Sequence, residues 1–285
     1  MGIQSFFHKI KMGIVRAGAS SIPRPSEAKR YGNCGEDVFV DMLRRELPDC
    51  ELKRNVVIST PDGNAEIDCL VLYKNKLFAI EVKRWKGRLT ELENGFIQEK
   101  TDRWTGEIHT KRMQSPFQQL GRAIFLLRKK IPTKAWINAV VFFEDAELES
   151  VQTTPDRVWF CHIQELVEYI CNSGKETYGS GAKDFFRQCV AADYLYANAW
   201  GKSLHCVINR PLLQSIIPPV PVTCIASIHI DHHWSYDELY FHMMNGEEIA
   251  CRIENAQIQV TGNGQIRNYG LCKLDYIEFG RTLNQ

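Results

Sequence analysis

The stretch from Leu52 to Lys83 leaves the chain few ways to fold. The run Leu52 to Ser59, with Val56, Val57 and Ile58, is followed by Pro61-Asp62-Gly63-Asn64, then Ala65 to Tyr73, then Lys74-Asn75-Lys76, then Leu77 to Lys83. Apolar and β-branched runs of this length, punctuated by turn formers, predict a meander of three strands. Side chains alternate faces along a strand. Alternation places Glu66, Asp68, Leu70 and Leu72 on one side of the second strand. In the third, Leu77, Ala79, Glu81 and Lys83 share one side and Phe78, Ile80 and Val82 the other. Charge is thereby gathered on one face near the strand ends.

Helical periods flank the meander. From Gly35 to Leu47, Val40, Leu43 and Leu47 recur at steps of three and four, and four places before Val40 stands Glu36. A carboxylate at the start of an inward face is unusual, because solvated glutamates look outward. Beyond Trp85 the chain to Lys111 is polar and weakly periodic and reads as a loop with short strands around Gly87 and Trp104. Ser115 as N-cap and Pro116 at the first helical position open a helix bearing Phe117, Leu120, Ile124, Leu127 and Ile131. Trp136 to Phe143 and Val158 to His162 read as strands, and Gln164 to Cys171 as a helix. This order predicts an α/β fold, a mixed sheet flanked by helices, over residues 32–172.

The flanks differ in composition. Residues 1–31 combine an amphipathic segment, Met1 to Ser21, with a linker from Ser20 to Arg30 carrying Pro23 and Pro25. Packing of that segment on its own domain is preferred over peripheral contact with a membrane. Residues 173–285 are read as an accessory helical and strand-rich C-terminal domain. In it Gly174, Gly179 and Gly181 mark a linker, Lys183 to Trp200 a helix and Pro211 to Pro221 an interruption. Short strands follow at Cys224 to Ile230, Glu248 to Ile253, Ile258 to Thr261 and Leu274 to Phe279, with turns at Asn245-Gly246 and Gly262-Asn263-Gly264.

With 285 residues, 44% of them hydrophobic, the chain can bury one large core or two smaller ones. A net charge of +1 excludes a strong overall positive field, so any basic surface is local. Ten cysteines without a Cys-x-x-Cys pair fit neither a zinc ribbon nor a disulfide scaffold, and point to reduced thiols and a cytoplasmic setting. No run approaches the roughly 20 apolar residues of a membrane span.

Three acids and a lysine on inward-looking positions suit one chemistry. Hydrolysis of a phosphodiester calls for a divalent cation, Mg²⁺ or Mn²⁺, and hard cations take carboxylate oxygens. Asp68 and Glu81 lie on adjacent strands, Lys83 projects from the face of Glu81, and Glu36 enters from a helix. Each piece alone has a plainer explanation. A Glu-x-Lys on a strand is commonly a solvated ion pair, and a glutamate early in a helix favours its dipole.

Gly35-Glu36, Glu66-Ile67-Asp68, Ile80-Glu81-Val82-Lys83 with Trp85-Lys86-Gly87, and Ser115-Pro116 with Gln119 together resemble the nuclease-related domain (NERD) family of the PD-(D/E)xK nuclease superfamily. The similarity runs from about Asn33 to Asn172. It implies a restriction-endonuclease-like mixed sheet, metal ligation by Asp68 and Glu81, contact of Lys83 with water or phosphate, and supporting roles for Glu36 (a further ligand) and Gln119. It also implies action on DNA, with defence against foreign DNA as a setting. Ser115 stands where the family commonly has Asn, Arg84 where Asn is frequent, and Ile67 where the superfamily has Pro.

Between Lys83 and Lys130 there are twelve Lys or Arg against five Asp or Glu, a local excess that suits a phosphate backbone, with DNA preferred to RNA. Arg84, Trp85, Lys86, Arg88 and Arg112 are the candidate nucleic-acid contacts, with Trp85, Trp104 and Phe96 as stacking surfaces. Arg128, Lys129 and Lys130 equally suit a helix C-terminus. His229, Asp231, His232 and His233 invite a metal reading, but surface or interface use is preferred, and the C-terminal region is a candidate protein-partner surface. The competing function is a non-cleaving nucleic-acid sensor or assembly subunit that keeps the nuclease fold.

Overall fold

A computed structural model describes Ile14, Ile22 and residues 27–144, 146–154, 157–177, 181–197, 202–254, 256–262 and 264–283. The N-terminal segment and most of the linker after it lie outside the described residues, as does Asn263; the linker's last residues, from Glu27, are helical. The described residues form two compact units, one of Glu27–Ala191 with the chain end from Arg281, the other of Ala192–Gly280 with Ile22.

The first unit is a mixed α/β sheet flanked by helices. Its expected meander is present as β1 (Glu51–Thr60), β2 (Gly63–Tyr73) and β3 (Lys76–Lys83). They stand in a six-stranded sheet of order β18-β1-β2-β3-β7-β9, where β7 is Ile137–Phe143, β9 is Val158–Phe160 and β18 is Thr282–Leu283. β3 pairs antiparallel with β2 and parallel with β7, so it is central and covered on both faces. On one face, α1 (Glu27–Glu46) and α3 (Ile163–Glu168) bury Phe39, Leu43 and Leu166 against Phe78, Ile80 and Val82. On the other, α2 (Pro116–Lys130) and α4 (Gly181–Gln188) bury Leu120, Leu127 and Phe186 against Leu77, Ala79 and Val141. α2 starts as its sequence predicts: the Ser115 hydroxyl accepts the Gln118 N–H at 3.4 Å, with Pro116 in the first turn. At its other end Lys129 pairs with Asp62 at 2.7 Å, a local use of one of the three basic residues there.

Three expectations are corrected. The stretch after Trp85 holds more strand than expected: the short strand at Gly87 is present as β4 (Gly87–Leu92), Trp104 lies in a turn, and β5 (Gly95–Thr101) and β6 (Ile108–Met113) join β4 and β8 (Ala146–Glu149) in a four-stranded sheet of order β6-β5-β4-β8. Few of its residues are buried, Leu89, Phe96 and Gln98 among them, while β6 is exposed nearly throughout, so its period is faint in the sequence. The first unit also runs past Asn172 to Ala191. Phe185 and Phe186 of α4 lie in its core, and the buried Lys53 ammonium donates to the carbonyls of Phe186 (2.7 Å) and Cys189 (2.7 Å) where that helix ends. The helix expected from Lys183 to Trp200 stops at Gln188, because Asp193–Ala197 is a strand, β10.

The second unit is an eight-stranded sheet of order β14-β13-β12-β17-β10-β11-β15-β16 over its own core, where β14 is Glu248–Ile253, β15 is Gln257–Gly262 and β17 is Tyr276–Glu278. Four of its strands, β10, β11 (Lys202–Ile208), β13 (Asp237–Met243) and β16 (Gln265–Gly270), were not read from sequence. His229, on β12 (Ile225–His232), bonds Asp231 at 3.0 Å, His232 bonds Asp237 at 2.8 Å and His233 lies 3.3 Å from Glu238. Each of these histidines thus faces a carboxylate, His232 a second one as well, Asp275 lying 3.7 Å from its other ring nitrogen. Among the described residues, no helix is long and apolar enough to cross a membrane. All ten cysteines are free of disulfides.

Candidate active site

The site is made by a fork between two strands. β1 and β2 stay paired to Thr60↔Gly63. β2 and β3 pair only from Tyr73↔Lys76 to Cys69↔Ile80, although β3 continues beside β7 to Lys83↔Phe143. Asp68 stands where they part. Its Oδ2 accepts the Val82 N–H at 2.8 Å, supplying the partner that the ladder no longer offers.

The pleat also changes phase here. Ala65 and Ile67 pack into the same core as Leu70 and Leu72, so strict alternation from Glu66 to Leu72 breaks at Asp68. On β1 the shift is mirrored at Asn55, whose φ of 46° is tolerated by Asn better than by most residues. Leu52 faces one core, and Val56 and Ile58 face the other.

Glu81 and Lys83 keep the phase of Leu77 and Ala79. Glu81 is fully buried, and its Oε1 accepts from the Lys83 ammonium. Its Oε2, also buried, has no hydrogen-bond partner among the described residues. Such an atom is costly unless something positive completes it.

Burial, then the neighbouring Glu81 charge, pushes the Asp68 carboxyl up to about 8, against the opposing pull of Lys83 and the Val82 N–H. Burial likewise raises Glu81, with Lys83 opposing and Glu36 and Glu66 adding to the rise. For Lys83, burial alone would favour the neutral amine, but Glu81, Asp68 and Glu36 outweigh it and hold the ammonium charged. Two acids therefore share one lysine, and both carboxyls hold their protons to higher pH than a solvated carboxyl would.

A pH dependence follows. A carboxyl raised in the folded state stabilises the fold fully below its unfolded value near 4, and that stabilisation is lost as pH rises through about 8. The metal-free protein should lose thermal stability across that window by an amount that Asp68→Asn removes. Melting curves in chelator check this, and identical pH profiles for the two proteins would contradict it.

Glu36, half-buried on α1, belongs to this electrostatic group, since its charge is felt at both Glu81 and Lys83. Among the described residues, however, no group of three His, Cys, Asp or Glu side chains stands in metal-caging geometry. The expected three-acid ligand set of Asp68, Glu81 and Glu36 thus does not close. Gly35 lets α1 approach: a Cβ there would lie 3.0 Å from Arg84 Cδ and 3.3 Å from Glu144 Oε2. Gly35→Val should push the helix and Glu36 away, costing about 1–3 kcal/mol and lowering activity, as read by denaturant melts beside cleavage assays. Gly35→Ala should cost less.

A cleft of about 640 Å³ opens beside Asp68, and Gln119 lines it with Glu66, Gln118 and Arg122. Asp68 and Gln119, fifty-one positions apart, therefore border one space. The expected nucleic-acid contacts divide. Lys86 and Arg88 line a second cleft of about 610 Å³ with Lys100 and Arg103, and Arg112 is exposed on β6. Arg84 instead faces Glu144 at 3.5 Å, half-buried. Trp85 packs edge-on against Phe96 and tilted against Phe143, and Phe96 is 1% exposed, so these rings serve the core because their faces are already covered. Trp104, 96% exposed, remains open for stacking. Arg122, Asn94 and Lys100 were missed in the sequence, where nothing local marks a residue brought to a cleft by distant strands.

A mixed α/β domain with one buried and one half-buried carboxylate and a lysine at a strand fork, opening on a polar cleft, is the class that fold and site define. Residues 31–144 match the family model of the nuclease-related domain (NERD), a span that runs from before Glu36 to beyond Gln119. No curated protein and no solved structure matches the chain.

Proposed function

We propose that this protein is a metal-dependent nuclease that hydrolyses phosphodiester bonds of DNA on a restriction-endonuclease-like core. One observation carries the reading: the buried, unpartnered Glu81 Oε2, with Asp68 and the charged Lys83 beside it at the fork. A solvated ion pair has no reason to be built this way, because a buried carboxylate oxygen left without a partner costs stability. Magnesium is commonly held by one or two carboxylates, its remaining ligands being water and substrate phosphate. Asp68 and Glu81 would hold it, with Glu36 adding negative potential, and when bound it supplies Lewis-acid polarisation of the phosphoryl oxygens and acidified water.

The chain's own residues do the rest. Lys83, kept protonated by Glu81 and Asp68, orients water for attack at phosphorus and offsets the negative charge that grows there. The Glu81 contact fixes the direction of its ammonium. Gln119 and Arg122 border the cleft in which the substrate strand would lie, and Lys86 and Arg88 would take phosphates farther along. Defence against foreign DNA is the setting that the resemblance favours.

The test is a digestion panel of single-stranded DNA, duplex DNA and RNA, with Mg²⁺ or Mn²⁺ and with chelator. Cleavage of DNA ahead of RNA, abolished by chelator, is expected. Salt-sensitive binding indifferent to chelator, with no substrate cut, would replace this reading by that of a non-cleaving sensor.

A further inference from the structure

Two clefts of the first unit, one along β4 and β5 and one beside Asp68, differ in chemistry. The one along β4 and β5 presents four cations, Lys86, Arg88, Lys100 and Arg103, against two carboxylates, Glu99 and Glu147, an excess that suits phosphate regardless of sequence. The one beside Asp68 has a single cation, Arg122, and five carboxamides: Asn64, Asn94, Gln114, Gln118 and Gln119. All five are exposed, and none of their side chains makes a hydrogen bond among the described residues. Amides used in the fold are bonded there, Asn138 to the Leu77 carbonyl at 2.9 Å and Gln98 to that of Lys86 at 2.8 Å. The five come from β2, the β4–β5 turn, the residue after β6 and the first turn of α2, so the fold, not a local sequence bias, assembles them.

A carboxamide offers a donor and an acceptor side by side and carries no charge. That pair matches the edge of a nucleobase and is a poor match for a phosphate diester. Away from the scissile phosphate at Asp68, Glu66 on the same wall makes it a still poorer place for a phosphate backbone.

We propose that this amide cleft binds an unpaired nucleobase adjoining the scissile phosphate, reading its hydrogen-bonding edge, so that the enzyme acts on single-stranded or locally opened DNA with a base preference. The proposal rests on the nuclease reading of Asp68 and Glu81 and adds to it a substrate class. Within the cleft the base is held at its edge, since no aromatic side chain lines the wall for stacking.

The experiment compares wild type with Asn94→Ala/Gln118→Ala on single-stranded oligonucleotides of one length: homopolymers of dA, dC and dT, and a strand of abasic sugars. Wild type should rank the homopolymers and cut the abasic strand slowest. The variant should lose about five- to a hundred-fold on the preferred base and approach the abasic rate on all. Asn94→Asp/Gln118→Glu, which replaces amide donors by acceptors, should reorder the ranking, and unchanged melting temperatures would show that both variants fold. Wild-type ranking and rates retained in both variants would overturn the proposal. If wild type cuts nothing, the nuclease reading fails, and fluorescence anisotropy with the same strands decides the base site. Selective affinity lost in the variant upholds it, and equal affinity for abasic and base-bearing strands overturns it.

Discussion

Glu81→Gln is expected to slow DNA cleavage on the order of a thousandfold while leaving the metal-free protein as stable as wild type, or more so. The two halves of this result have one cause. Glu81 lies wholly out of water with one oxygen unpartnered, and burial raises its carboxyl, so the folded protein tolerates this charge at a cost. A neutral amide of the same shape relieves that cost, and Lys83 keeps an oxygen to donate to. The same amide cannot contribute the negative charge that a divalent cation needs. Parallel measurement of cleavage rate and melting temperature in chelator checks both halves; a variant that loses activity only because it melts would not fit.

Lys83→Met should also abolish cleavage, but with the opposite signature in stability. Removing the ammonium leaves Glu81 buried without its partner, and breaking a buried pair from one side costs about 3–5 kcal/mol. The low end applies here, because the Lys83 side chain remains 18% exposed and Glu81 can take up a proton. The loss should grow with pH, since a raised carboxyl favours the fold only while it is protonated. Glu81→Gln/Lys83→Met should then recover most of the stability and none of the activity. Additive losses in the double variant, read from denaturant unfolding, would show that the two groups do not interact.

The meander, both flanking helices and the acids were legible because each is a local pattern: turn formers at Pro61-Asp62-Gly63-Asn64, a Ser115 cap, alternation at Glu81 and Lys83. Strict alternation failed at Asp68, because a phase shift shared by Asn55 and Asp68 depends on how two strands diverge from a third. The β4–β6 hairpins are obscured by one-sided burial, and the strand β10 by a stretch that reads as helix until Phe185 and Phe186 are seen docked in the first unit's core. Trp85 was assigned to a nucleic acid because its chemistry allows it. Only the packing of Phe96 and Phe143 around it shows that the ring is already used. The amide cleft was invisible for the same reason, its members lying on four separate segments.

The most direct test is Mn²⁺ binding to the intact protein, followed by calorimetry or electron paramagnetic resonance. This account predicts one saturable site per chain that is lost in Glu81→Gln and in Asp68→Asn and weakened less in Glu36→Gln. Binding of equal strength in all four proteins, or none in wild type even with DNA present, would contradict it.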